Sequence, residues 1–273
     1  MYQVQHPLNY VFSDRKRYNL KHKPIAKQHV ISKLEKTENV SLPSKVDLRE
    51  YVKQIYNQGT IGSCVAHSMA ASINIDSNIK DMSANKLFNY ATQDIAPSRL
   101  YIYWHARSVG SFPVTQDTGS TIHDGSMAMQ KYRTCPESMW TYDVTKFTQQ
   151  PDLDCYKVAD SYPGIKIQQI DQDVDHIKQA LNAKLPVAFG VVVHQSFMSA
   201  DAARTGNIPI PGNNDQVMGG HAICMVGYDD SKKCFIFQNS WGPEWGDKGY
   251  GYIPYAYILN QQESGDFWTI TFA

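Results

Sequence analysis

Gln58-Gly59-Thr60-Ile61-Gly62-Ser63-Cys64 is the stretch whose reading decides the fold of this chain. Two glycines make it turn-prone, and the residues after it turn helical: Val65, Met69 and Ile73 recur every fourth position, with Ala66 and Ala70 beside them. Ser63 is a good N-cap, so the stretch is expected to deliver a cysteine to the first turn of a buried helix. The unpaired N–H groups and partial positive charge of a helix start favour thiolate over thiol, and cysteines at such sites have pKa values of about 3.5–7.5. The Cys64 backbone N–H is a candidate oxyanion donor, and the carboxamide of Gln58 is a second. A lone helix cysteine is more often a packed core residue, so the chemical reading needs partners elsewhere.

A second cluster supplies them. Gly219-Gly220-His221-Ala222 leads into one strand-like run, and the next run ends in Asn239-Ser240-Trp241-Gly242-Pro243-Glu244-Trp245-Gly246. Asp229-Asp230-Ser231-Lys232 between the runs reads as a hairpin turn. Such a hairpin brings His221 beside Asn239, as a general base and the side-chain oxygen that orients it must be. Gly219 and Gly220 leave room for a substrate backbone, and Trp241 is placed to shield the Asn–His contact from water, which strengthens it.

Working outward, helical patterns dominate before residue 160. A second helix opens at Pro97-Ser98-Arg99, and a third covers 127–132 before Cys135-Pro136 interrupts it. A short helix follows near Val174, Ile177 and Leu181; strand-like runs then cover 187–193, 222–228, 234–239, 249–255 and 267–272. The expected class is α+β, with a mainly helical lobe over 45–165, a mainly β lobe over 166–273 and a cleft between them.

The 273 residues carry 42% hydrophobic and 19% charged side chains with zero formal net charge, an ordinary globular balance that gives no reason to expect nucleic acid or an acidic membrane as partner. Residues 1–44 differ: eight basic residues, Arg15, Lys16 and Arg17 among them, stand against Asp14, Glu35 and Glu38. This basic arm precedes an acidic body and is expected to dock on it or to stay solvated. The N-terminus lacks the pattern of a secretory signal and no apolar run reaches membrane-spanning length, so a soluble chain is expected, cytoplasmic or virion-associated. The five cysteines are an odd number without close pairs, which argues against a zinc ribbon; those other than Cys64 read as reduced.

The Gln58-to-Cys64 spacing, the Gly62-Ser63-Cys64-Val65-Ala66 segment, the Gly-His-Ala around His221 and the run from Asn239 to Gly251 together resemble the papain-like cysteine peptidases. His221 and Asn239 stand somewhat further from the cysteine than the roughly 130–150 residues usual in that family. Ser98-Arg99-Leu100-Tyr101, Cys135-Pro136-Glu137-Ser138-Met139-Trp140 and His194-Gln195-Ser196-Phe197 look most like its bacterial and viral branch. The resemblance implies a helical left lobe, a β-barrel-like right lobe, and peptide hydrolysis in the groove between them without metal or organic cofactor. It makes Cys64 the nucleophile, His221 the base, Asn239 its orienter and Gln58 the oxyanion donor. It also places Gly125, Gly190, Gly219, Gly220, Ala222 and Trp241 along the substrate, a protein or peptide.

There are departures. Ile61 stands where secreted members place a disulfide cysteine, Val65 replaces the usual aromatic after the nucleophile, and the arm lacks the long helical pattern of an inhibitory propeptide. Two other site assignments compete: His67 as base, three residues along the helix from Cys64, and a metal set of Cys64, His67, His194 and His221, which has no recognised ligand spacing. Three functions fit the motifs: an endopeptidase, a catalytically silent peptide-binding member of the fold, and an amidase or transpeptidase sharing the thioester stage.

Overall fold

A computed structural model of the chain describes residues 8–9, 32–82 and 96–273. Most of the basic cluster of the arm, Arg15 to Lys27, lies outside the described residues.

Among the described residues seven α-helices and nine strands follow one another. Strands β1 (Leu8–Asn9), β2 (Ser32–Lys33) and β3 (Lys45–Asp47) come first. Helices α1 (Cys64–Met82), α2 (Arg99–Val109), α3 (Ile122–Tyr132) and α4 (Leu153–Ser161) form the helical stretch. Then β4 (Ile165–Ile170), α5 (Val174–Asn182), β5 (Val187–His194) and α6 (Ala200–Thr205) lead to β6 (Val217–Asp229). The chain closes with β7 (Cys234–Gln238), β8 (Tyr250–Pro254), α7 (Tyr255–Leu259) and β9 (Ser264–Phe272).

The main sheet runs β2-β4-β9-β5-β6-β7-β8, an open path, with β1 and β3 both added to β6. Strand β6 organises it. On one side it pairs with β5 and then, past Met225, with β3; on the other it pairs with β1 at Gly219 and Gly220 and then with β7 from Cys224 onward. Short segments from the first 47 residues therefore fill edge positions whose backbone groups need partners. Lys33 and Lys36 of this region sit 2.7 and 3.0 Å from Asp171 and Asp173.

One continuous apolar core takes in α1 together with β4 through β9. Helix α1 lies against β6 through small residues: Ser68 Oγ donates to the Ile223 carbonyl at 2.7 Å and Ser72 Oγ meets Cys224 Sγ at 3.3 Å. Cys64, Ser68 and Ser72 share one helix face at four-residue spacing, so this register sets Cys64 against Ala222, which adjoins His221 and whose backbone N–H reaches the thiol.

Helix α3 starts five residues earlier than its periodicity suggests, because Thr121 caps it by accepting from the Asp124 N–H at 2.9 Å. The His123-Asp124-Gly125 segment thus belongs to the first turn of α3. Strand β4 escaped the sequence reading because the alternation of Ile165 and Ile167 with Lys166 and Gln168 is short and breaks at Gln169, before the buried Ile170.

Candidate active site

Helix geometry places Cys64 but does not set its acidity. It is the first residue of α1 and is 1% exposed. Ser63 occupies the N-cap by its carbonyl, which accepts from the His67 N–H at 3.1 Å, while its hydroxyl goes to Tyr142 Oη at 2.6 Å instead of capping the helix. The expected low thiol pKa is corrected here. Burial pushes the Cys64 thiol up to about 11, outweighing the backbone N–H groups of Ala222, Val65 and Cys64 that pull it down. Desolvation wins because an isolated thiolate inside protein loses more solvation than the helix terminus restores.

His221, on β6, is fully buried; its Nε2 donates to Asn239 Oδ1 at 2.9 Å. The backbone N–H of Ser240 donates to the same oxygen at 2.8 Å, which fixes the orientation of the carboxamide. A hydrogen on Nε2 leaves Nδ1 as the basic nitrogen, and Nδ1 has no hydrogen-bond partner among the described residues. The indole of Trp241 stacks on the imidazole, with ring centroids 4.8 Å apart and planes 21° apart. Burial lowers the His221 pKa to about 4 against the bond to Asn239, so the ring is neutral at pH 7.

Residues 56–58 are tied to the Asn239 segment at three points, two of them through Gln58. The Gln58 N–H donates to the Ser240 carbonyl at 2.8 Å, the Gly242 N–H donates to the Tyr56 carbonyl at 2.9 Å, and Ser240 Oγ donates to Gln58 Oε1 at 2.7 Å. Gln58 Nε2 donates to the Ile61 carbonyl at 3.1 Å. Two loops about 180 residues apart in sequence are thereby fastened together beside the end of α1.

The other predicted positions divide. Gly190 and Ala222 pair directly across β5 and β6, and Gly219 and Gly220 pair with β1. Gly125 is not in a groove: it is buried in α3, where an added Cβ would fall 2.6 Å from Met69 Cε and 3.0 Å from Val65 Cγ1. A glycine there lets α3 approach α1, the same signal in sequence as a glycine lining a cleft. His67 bonds through Nδ1 to the Ser63 carbonyl at 3.0 Å and lies edge-on to the Tyr56 and Tyr142 rings. His194 goes to Glu263 Oε2 at 2.6 Å and to the Asp215 carbonyl at 3.1 Å. Among the described residues no group of three or more His, Cys, Asp or Glu is arranged to hold a metal ion.

Three contributors escaped the sequence reading: Ser240, Tyr142 and Arg99. Tyr142 Oη donates to the Gln58 carbonyl at 2.7 Å, and the Arg99 guanidinium lies 4.6 and 4.5 Å from the Tyr56 and Tyr142 ring centroids while pairing with Glu137 at 2.8 Å. Only Ser240, adjacent to Asn239, carried a local signal.

A buried cysteine at a helix start is packed on the strand of a histidine that bonds an asparagine, the arrangement of groups that thiol hydrolysis needs. Residues 42–262 match the model of the papain family cysteine proteases, and the chain belongs to that family. It is 36% identical over 222 residues to an uncharacterized peptidase C1-like protein of Acanthamoeba polyphaga mimivirus, covering 78% of this chain and 68% of that one. It resembles the crystal structure of xylellain, a cysteine protease from Xylella fastidiosa, with a TM-score of 0.78 at 35% identity over 89% of this chain and 92% of that one. It is 29% identical over 227 residues to Peptidase 1 of Psoroptes ovis, a match spanning 78% of this chain and 61% of that protein. The chain is accordingly a papain-type cysteine peptidase of the α+β class. No described helix is long and apolar enough to cross a membrane.

Proposed function

We propose that the chain is an endopeptidase in which Cys64 attacks the peptide carbonyl, His221 moves the protons, Asn239 orients His221, and Gln58 with the Cys64 N–H binds the oxyanion. The observation that carries this reading is the 2.9 Å bond from His221 Nε2 to Asn239 Oδ1, which leaves Nδ1 as the base beside the residue that the Cys64 thiol contacts. Nδ1 takes the thiol proton as sulfur bonds to carbon; the oxyanion collapses, the amine leaves with that proton, and a thioester remains. Water, losing a proton to Nδ1, attacks the thioester, and collapse releases the acid and restores the thiol. Gln58 Nε2 carries a second N–H beyond the one given to Ile61, available to the oxyanion.

The substrate groove lies between the lobes of residues 45–165 and 166–273, with Gly190, Gly219, Gly220, Ala222 and Trp241 along it. Residues 1–44 restrain it. Support comes from β1, which adds to β6 in parallel at Gly219 and Gly220, immediately before His221. The lysines of residues 32–36 set against Asp171 and Asp173 fit the same docking. Five unpaired thiols suit a reducing compartment, the cytoplasm or a virion.

Labelling with an epoxide thiol probe, combined with digestion of a peptide library, tests the reading. Internal cleavage that is lost in Cys64→Ala, together with probe on Cys64, is expected. Probe labelling without cleavage would identify a silent binding protein, and products joined to an added amine would identify a transpeptidase. For the arm, a chain beginning at Leu42 is expected to turn over faster than the full chain, by a margin that narrows as salt weakens the ion pairs; equal rates would rule out restraint.

A further inference from the structure

Asp117 lies outside the Cys-His-Asn set, yet both of its oxygens meet the Gly62 N–H, at 2.9 and 3.1 Å. Gly62 sits between Gln58 and Cys64, the two proposed oxyanion donors. Its N–H precedes α1 and is not one the helix itself can satisfy. Asp117 is in turn held from α2. Tyr103, fully buried, donates its hydroxyl to Asp117 Oδ1, and the same hydroxyl accepts from the Gly119 N–H at 3.2 Å. The Arg107 guanidinium lies 4.0 Å above the Tyr103 ring and donates to the Val114 and Gln116 carbonyls at 2.9 and 2.7 Å. A buried arginine thus pins the loop that carries the carboxylate, and a chain of contacts runs from α2 to the nucleophile loop.

We propose that Asp117 is a positioning residue of the peptidase: through Gly62 it fixes the loop that aims Gln58 and the Cys64 N–H at the oxyanion. The proposal rests on the assignment of Cys64 and Gln58 to those roles. The charge of Asp117 works against the nucleophile, since it adds to the rise in the Cys64 pKa after burial. Its geometry works for the reaction: a charge-assisted bond to a backbone N–H is roughly twice as strong as a neutral one, and a donor displaced by about 1 Å costs about 10²-fold in rate.

The test compares wild type, Asp117→Ala, Asp117→Asn and Tyr103→Phe, with kcat referred to sites titrated by an epoxide probe and Cys64 alkylation by iodoacetamide followed against pH. Asp117→Ala is expected to lower kcat per titrated site about 10–100-fold with KM within about threefold. Asp117→Asn keeps an acceptor oxygen and is expected to stay within about threefold of wild type. It also removes the charge, so its alkylation midpoint should fall below that of wild type, a shift that lost packing alone would not produce. Wild-type kcat in Asp117→Ala, or equal losses in the Ala and Asn variants, would overturn the proposal. Should Asp117→Ala fail to fold, Tyr103→Phe decides: a drop of about 3–10-fold is expected, and an unchanged kcat is contradictory. Should wild type cleave no peptide, the peptidase reading fails separately; the clamp is then read from Cys64 alkylation, slower in Asp117→Ala than in Asp117→Asn, with equal rates overturning it.

Discussion

The imidazole of His221 and the carboxamide of Asn239 meet at 2.9 Å at the open end of the β6–β7 hairpin, and both side chains are almost wholly buried. Because the carboxamide oxygen also accepts from Ser240, it cannot rotate to present nitrogen without losing two bonds.

Asn239→Ala removes the acceptor that keeps the hydrogen on Nε2. The ring is then free to adopt the other tautomer, with its basic nitrogen turned from the thiol. A loss of roughly 10²-fold in kcat with little change in KM is expected, at the lower end of general-base contributions. Steady-state kinetics on one peptide substrate checks it; an unchanged kcat would remove Asn239 from the mechanism.

Gln58→Ala and Ser240→Ala form a graded pair. The first deletes an oxyanion donor and is expected to lower kcat about 10²–10³-fold. The second leaves the donor but removes the hydroxyl that holds Gln58 Oε1 at 2.7 Å, so a smaller loss, on the order of 10-fold, is expected. A double variant no slower than Gln58→Ala would show that Ser240 acts through Gln58.

Acid stability follows from three buried neutral imidazoles. Burial holds His67 down to about 3 and His105 and His221 down to about 4. The unfolded chain titrates them near 6.5. As pH falls from 6.5 toward 4, unfolded histidines bind protons that the native ones refuse, so stability is full above 6.5 and is lost through that window. Each group stands to cost up to about 1.4 kcal/mol per pH unit there. Denaturant titrations at pH 7.5, 6 and 5 measure the slope, and His105→Asn, remote from the cysteine, should reduce it; a flat profile would contradict the burial of neutral rings.

The residues proposed to react were singled out in the sequence because each sits in a distinctive local setting. Cys64 follows a two-glycine loop, His221 follows Gly219-Gly220, and Asn239 opens a tryptophan- and glycine-rich run. Strands β5 to β9 were legible by composition, and β6 and β7 follow from the Asp229-to-Lys232 turn between them. What supports the site was not legible. Asp117 reaches Gly62 across 55 residues, Tyr142 reaches Ser63 across 79, and neither contact leaves a periodic or motif signal. Strands β1, β2 and β3 form through backbone bonds at sheet edges, which side-chain patterns do not encode. The acidity of Cys64 was misjudged because sequence shows the helix start but not the burial that opposes it.

The most direct measurement is acid quench during single turnover with an activated ester or peptide, followed by mass spectrometry of the intact chain and its fragments. The account predicts a transient acyl group on Cys64 in wild type, persisting longer in Asn239→Ala, and no acyl group and no product in Cys64→Ala. Product formed at the wild-type rate by Cys64→Ala, or an acyl group on any other residue, would contradict it.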